Sequence, residues 1–144
     1  MRKILIINGP NINMLGIREP IIYGNQNYQA LISSINAWAN ELGCEVECFQ
    51  SNHEGDIVDR IQKAYSDGTY GIVINPAAYT HTSVAILDAL KAVGLPAVEI
   101  HISDINEREA FRHISYAGLA CEEHYIGLGF EGYKKGMEYL VKRD

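Results

Sequence analysis

Gly71-Ile72-Val73-Ile74-Asn75-Pro76-Ala77-Ala78-Tyr79-Thr80-His81-Thr82-Ser83 carries a short apolar run directly into polar, proton-handling side chains. A run of that length, apolar at every position, suits a strand buried on both faces of a parallel sheet. The residues that follow, Val84 to Val93, keep a helical period and stop at Gly94, with Pro96 just beyond. The stretch therefore reads as strand, polar turn, helix. In open α/β sheets, ligands bind outside the carboxyl ends of the strands, which is where Asn75 and His81 fall.

Working outward, strand signals lie at Lys3–Ile7, Glu45–Phe49, Ala97–Ile102 and, more weakly, His124–Ile126. Tyr28, Leu31, Ile35, Trp38, Ala39 and Leu42 form a helical stripe ended by Gly43. Ile57, Ile61, Ala64 and Tyr65 form another, acidic at its start and with Lys63 near its end, as the helix dipole prefers. A last helix is expected from about Phe130 to Val141. Five strands alternating with helices predict an α/β fold, a flavodoxin-like, doubly wound, five-stranded parallel sheet. No linker, repeat or charge block divides residues 1–144, so a single catalytic domain is expected. One connection is out of proportion: no periodic pattern spans Asn8 to about Asn27, whereas such loops usually take about 2–6 residues. An active-site lid is expected there, at about residues 14–25.

Composition narrows the function. A net charge of −6 without a basic cluster excludes a nucleic-acid partner on electrostatic grounds. No apolar run approaches the roughly 20 residues that span a bilayer, so no membrane partner is expected. The apolar segment after Met1-Arg2-Lys3 is too short for a signal peptide and leads into a strand. Cys44, Cys48 and Cys121 cannot all pair within one chain, and a reduced, cytoplasmic protein is the expectation.

Val98-Glu99-Ile100-His101-Ile102-Ser103 alternates apolar and polar residues in a strand that should be apolar throughout. Taken alone, His101 reads as a core histidine satisfied by a backbone carbonyl. Glu99, two residues away on the same face, adds a carboxylate that can orient the imidazole and stabilise its charged form, as a general acid requires. On the helix after Ser83, Ile86, Ala89, Leu90 and Val93 share the face that must meet the sheet. His81, Val84, Asp88 and Lys91 share the opposite one. Spacing alone favours a solvated Asp88 beside Lys91; the sharper reading turns it toward another subunit. In the long loop, Arg18 by itself reads as a surface charge and Tyr23 as packing. A tyrosine loses its proton near pH 10. A cation about 4 Å away, at an effective dielectric of about 20, favours the phenolate by roughly 4 kcal/mol, or about three pKa units. An arginine on a closing loop can thus make tyrosine a usable base. Arg112 reads either as a surface ion pair with Glu109 or as a bidentate clamp for a carboxylate or polyol.

Gly127-Leu128-Gly129-Phe130-Glu131-Gly132 matches G-x-G-x-x-G but cannot open a dinucleotide unit, because only 12 residues follow it. Close helix–sheet packing is the expected reason for it. The five histidines form no H-x-x-x-H or H-E-x-x-H pattern, so no metal site is expected from spacing. A flavodoxin-like flavin- or nucleotide-binding module is the rival reading, and it lacks a hydroxyl- and glycine-rich phosphate loop at Asn8-Gly9-Pro10-Asn11-Ile12-Asn13. A receiver-type signalling domain would need acidic residues where Asn8 and Asn75 stand.

Several further motifs keep the same order and spacing as one known family. They are Ile7-Asn8-Gly9-Pro10-Asn11, Leu15-Gly16-Ile17-Arg18-Glu19-Pro20, Tyr23-Gly24 and Gln50-Ser51-Asn52-His53-Glu54-Gly55. With Asn75 to Asp88, Glu99 to Ser103, Arg108-Glu109, Phe111-Arg112, Gly127-Leu128-Gly129 and Gly132-Tyr133, they make the chain resemble the type II 3-dehydroquinate dehydratases over nearly its full length. The resemblance implies a lyase that dehydrates 3-dehydroquinate to 3-dehydroshikimate by anti elimination through an enolate, without metal, cofactor or Schiff-base lysine. It implies Tyr23 as base, Arg18 as its support and Asn11 as holder of a water at the enolate oxygen. It further implies His101 as acid with Glu99 behind it. Asn75, His81, Ser103, the Ile102 backbone and Arg112 would bind substrate. Asp88 would reach a neighbouring subunit's site in a homododecamer, a tetramer of trimers. The chain departs from the family's habit at Ile12, Met14, Ile17, Asp104 and Ile114, none of them an implied catalytic position.

Overall fold

The computed structural model describes residues 1–17 and 26–144. Five parallel strands form one sheet: β1 (Lys3–Asn8), β2 (Glu45–Gln50), β3 (Gly71–Asn75), β4 (Ala97–His101) and β5 (Glu123–Ile126), in the order β2-β1-β3-β4-β5. Parallel neighbours need crossovers, supplied by α1 (Tyr28–Leu42), α2 (Glu54–Ala64) and α3 (Val84–Val93), with α4 (Glu131–Lys142) after β5. The flavodoxin-like expectation is met. Boundaries moved by a residue or two: β4 ends at His101 rather than Ile102, and α4 runs from Glu131 to Lys142.

Alternation along the strands sorts the core into two layers. Ile4, Ile6, Val73, Val98 and Ile100 pack with Leu31 and Ile35 of α1 and Tyr133, Met137 and Leu140 of α4. Leu5, Ile7, Ile72 and Ile74 pack on the other face with Ile57 and Ile61 of α2 and Ile86 and Leu90 of α3. Successive strand side chains point to opposite faces, so a sheet covered on both sides must be apolar at odd and even positions alike. The helices begin and end where local chemistry allows. The Asn27 side chain accepts from Ala30 N at 2.8 Å to open α1, and Ser83 Oγ accepts from Ile86 N at 2.9 Å to open α3. Gly94 ends α3 in the left-handed conformation at φ 65°.

The order reverses direction at β1: β2 lies on one side of it and β3 on the other. A crevice at the carboxyl ends of β1 and β3 follows from that reversal. Asn8 and Asn75 are register partners there, and Gly9 N donates to Asn75 O at 2.8 Å. A Cβ on Gly9 would stand 2.3 Å from Pro76 O, so the two turns approach each other only with glycine at that position. The structureless connection expected after β1 contains a short 3₁₀ turn, Ile12–Met14. Arg18 and Tyr23, expected in a lid, lie outside the described residues.

Candidate active site

At the carboxyl end of the sheet a cleft of about 590 Å³ is bordered by the turns after β1, β3 and β4 and by the start of α4. Asn11, Asn75, His81, His101, Ile102, Ser103 and Arg112 all line it, so seven expected site residues from four segments of the chain converge there. Ser103 does not share a strand face with Glu99 and His101, as alternation suggested. The ladder ends at His101, and Ser103 sits exposed in the turn beyond it. Asp88 is exposed on α3, outside the cleft, on the face opposite buried Ile86 and Leu90.

β4 is buried at all five positions, including Glu99 at 1% exposure and His101 at 4%. Glu99 explains how a charge survives there. Its Oε2 accepts from His101 Nε2 at 2.8 Å, from Thr80 Oγ1 at 3.3 Å and from Ser115 Oγ, and its Oε1 accepts from His124 Nδ1 at 2.7 Å. Burial pushes the Glu99 carboxyl up. The hydrogen bonds of His101, Ser115 and His124, with the charge of His101, outweigh burial and hold it down at about 2. An ionised carboxylate only accepts, so His101 carries its proton on Nε2 and leaves Nδ1 for the cleft. By the same reasoning His81 Nδ1, 2.8 Å from Ile114 O, is the donor to that carbonyl, and its Nε2 is left free.

Asn75 is fixed at both ends of its amide. Its Oδ1 accepts from Ala77 N at 3.1 Å, and its Nδ2 donates to Tyr133 Oη at 2.9 Å. The Tyr133 hydroxyl in turn donates to Asn8 Oδ1 at 2.6 Å. Burial pushes the Tyr133 phenol up, so it serves as a neutral donor and acceptor. Asn11 (φ 69°) and Ala77 (φ 54°) hold left-handed backbone, and both border the cleft. Non-glycine residues in that region cost of order 1 kcal/mol or more and cluster at working sites. Arg112 makes the ion pair with Glu109, its Nε donating to Glu109 Oε2 at 2.5 Å, and it also lines the cleft.

Some of the site was not singled out from sequence. Arg108, Gln26 and Phe130 also border the cleft; Tyr133, itself bonded to Asn8, fixes Asn75, and Thr80, Ser115 and His124 fix Glu99 behind His101. Asn8 carried one usable signal, being polar at a strand's carboxyl end like Asn75. Ser115 and His124 carried none, because only the fold brings them to Glu99. The G-x-G-x-x-G match is a packing device in part: a Cβ on Gly132 would touch Ile100 Cγ2 at 3.4 Å, whereas Gly127 and Gly129 serve positive φ angles of 79° and 61°.

A flavodoxin-like sheet with a buried carboxylate–imidazole pair at its ligand-binding end is an α/β scaffold carrying a candidate proton-handling site. Residues 2–141 match the model of the family described as dehydroquinase class II. A 3-dehydroquinate dehydratase of Lachnospira eligens is 56% identical over 140 residues, covering 96% of this chain and 95% of that one. The crystal structure of the type II dehydroquinase from Butyrivibrio crossotus is 55% identical, with a TM-score of 0.92 over 96% of this chain and 97% of that one. That of Propionibacterium acnes is 36% identical, with a TM-score of 0.89 over 98% of each. The chain belongs to the class II dehydroquinase family. The flavin-binding alternative finds no support in any of these likenesses.

Proposed function

We propose that this protein dehydrates 3-dehydroquinate to 3-dehydroshikimate, with His101 as the general acid. The observation that carries this reading is the buried Glu99–His101 pair opening on the cleft, a proton donor backed by a fixed negative charge. The elimination needs a base to remove the proton beside the ketone and an acid to protonate the departing hydroxyl. Tyr23 is assigned the base, with Arg18 favouring its phenolate, in the lid at about residues 14–25. Asn11 is assigned a water at the enolate oxygen. Asn75, His81, Ser103, the Ile102 backbone and Arg112 are assigned the substrate's hydroxyls and carboxylate. Their place around one cleft supports that assignment. The same reaction serves either aromatic biosynthesis or quinate breakdown.

Asp88 is assigned to a neighbouring subunit's site within a homododecamer, a tetramer of trimers, a reading supported by its exposure on α3 beside half-exposed Val84. Among the described residues no helix is long and apolar enough to cross a membrane. The three cysteines are free, which supports a reducing, cytoplasmic setting. The deciding experiment follows ultraviolet absorbance of the product enone with 3-dehydroquinate as substrate. Turnover is expected to survive EDTA and borohydride and to collapse in Tyr23→Phe and His101→Ala. Wild-type protein without turnover overturns the reading. Light scattering at the mass of a trimer or monomer overturns the dodecamer.

A further inference from the structure

Glu99 holds two imidazoles, and only one of them belongs to the cleft. His101 bonds Oε2 at 2.8 Å; His124, the register partner of Glu99 across the β4–β5 ladder, bonds Oε1 at 2.7 Å. The His101 and Glu99 side chains are 5% and 2% exposed, whereas His124 is 43% exposed on the edge strand. The other donors to Glu99, Thr80 and Ser115, are hydroxyls and do not change charge near neutral pH.

We propose that His124 is a positioning residue for the general acid, which through Glu99 makes the charge state of His101 answer to external pH. This rests on His101 being the acid of the proposed dehydration. His124 donates Nδ1–H to Oε1 in both its charge states, so the carboxylate stays oriented whether or not the outer nitrogen is protonated. What changes is charge. Once protonated, His124 claims part of the field of Glu99 and opposes a second cation at His101; once neutral, it leaves that field to His101 alone. Among the described residues no other titratable side chain bonds Glu99; His81, Arg108 and Arg112 line the same cleft as His101 but make no bond to the carboxylate. β4 contributes Glu99 and His101 themselves. The turn Ala117–Ala120 leads to Cys121, whose thiol is pushed up to about 12 by burial and the nearby carboxylates, and so stays neutral. Glu122 is occupied by Arg143 and Tyr139. Glu123 points with Tyr125 to the opposite face of the sheet, where Glu138 of α4 also lies.

The test compares wild type with His124→Asn, which keeps an amide N–H near the Nδ1 position but cannot titrate, and with His124→Leu, which offers no donor. Proton NMR of the His101 ring needs no turnover, so it decides the point even if the dehydration reading fails. In His124→Asn the pH dependence of the His101 ring signals is expected to move to higher pH, because the opposing cation is gone. The limb of the kcat profile that reports the acid is expected to move with it. His124→Leu is expected to lose kcat several-fold at little cost in KM, with His124→Asn recovering most of it. An unchanged pH dependence of the His101 ring signals in His124→Asn overturns the proposal. So does a His124→Leu enzyme as active as wild type.

Discussion

Replacing Glu99 with Gln removes the buried charge that holds His101, the proposed acid, and the consequence can be worked out from its carboxyl. The ordinary glutamate value is 4.5, and in the folded protein the group is held at about 2. At about 1.4 kcal/mol per pH unit, the gap of about 2.5 units makes the ionised form worth about 3 kcal/mol to the fold. The folded value is the depressed one. The stabilisation is therefore complete above the unfolded value and disappears as pH falls toward the folded one. Integrated from pH 5 to pH 3, the loss is about 2 kcal/mol, with the rest going nearer pH 2. Urea unfolding of wild type and Glu99→Gln at half-unit steps across that range isolates it. Asp67, Glu47, Glu109 and Glu122 are also held below the usual carboxylate range, but they are common to both proteins and cancel in the difference. The stability gap between the two proteins should close by about 2 kcal/mol between pH 5 and pH 3. If the two curves run parallel within about 0.5 kcal/mol, the carboxylate is not held as the hydrogen bonds imply.

Two neighbours of that network give further expectations. A Cβ on Gly118 would lie 2.6 Å from Glu99 Oε1 and 3.1 Å from Ser115 Oγ, so Gly118→Ala must displace the carboxylate. Steady-state kinetics should show kcat falling about tenfold or more with KM little changed, and melting should show a loss of about 1–3 kcal/mol; unchanged kcat would refute it. Tyr133→Phe strips the hydroxyl shared by Asn8 and Asn75, leaving buried polar atoms without that partner. Urea unfolding should register a loss of about 1–3 kcal/mol, and KM should rise as Asn75 loosens; a variant equal to wild type in both would refute the role.

The fold was legible because its period is unambiguous. Ile72–Ile74 and Leu5–Ile7 are apolar at every position, which only a strand covered on both faces requires, and caps such as Ser83 and Gly94 mark the turns between. β5 gave the weakest signal for a physical reason: it is a four-residue edge strand with two exposed positions. Glu99 and His101 were legible as breaches of the apolar rule in a buried strand. Their supports were not. Ser115 and Thr80 reach Glu99 across 16 and 19 residues, and Tyr133 reaches Asn8 across 125, distances over which no local pattern survives.

Those breaches share one place. Asn8, Asn75 and His101 are the last residues of β1, β3 and β4, where the ladder stops and the cleft begins. Three and two residues beyond the first two ends stand Asn11 and Ala77, both at positive φ. Buried polar groups and strained backbone each lower stability unless something offsets them, and here both kinds of cost gather at one end of the sheet. Offsets are visible for most of them: Tyr133 for Asn75 Nδ2 and Asn8 Oδ1, Asn52 Oδ1 at 3.0 Å for the Asn11 amide, and four side chains for Glu99, while Asn8 Nδ2 is left without a partner among the described residues. A core selected for stability alone would have no use for that arrangement, since apolar residues at the same positions would pack without any of those partners. The stability is given up where His101, the proposed acid, sits out of water beside the Glu99 carboxylate and still lines the cleft.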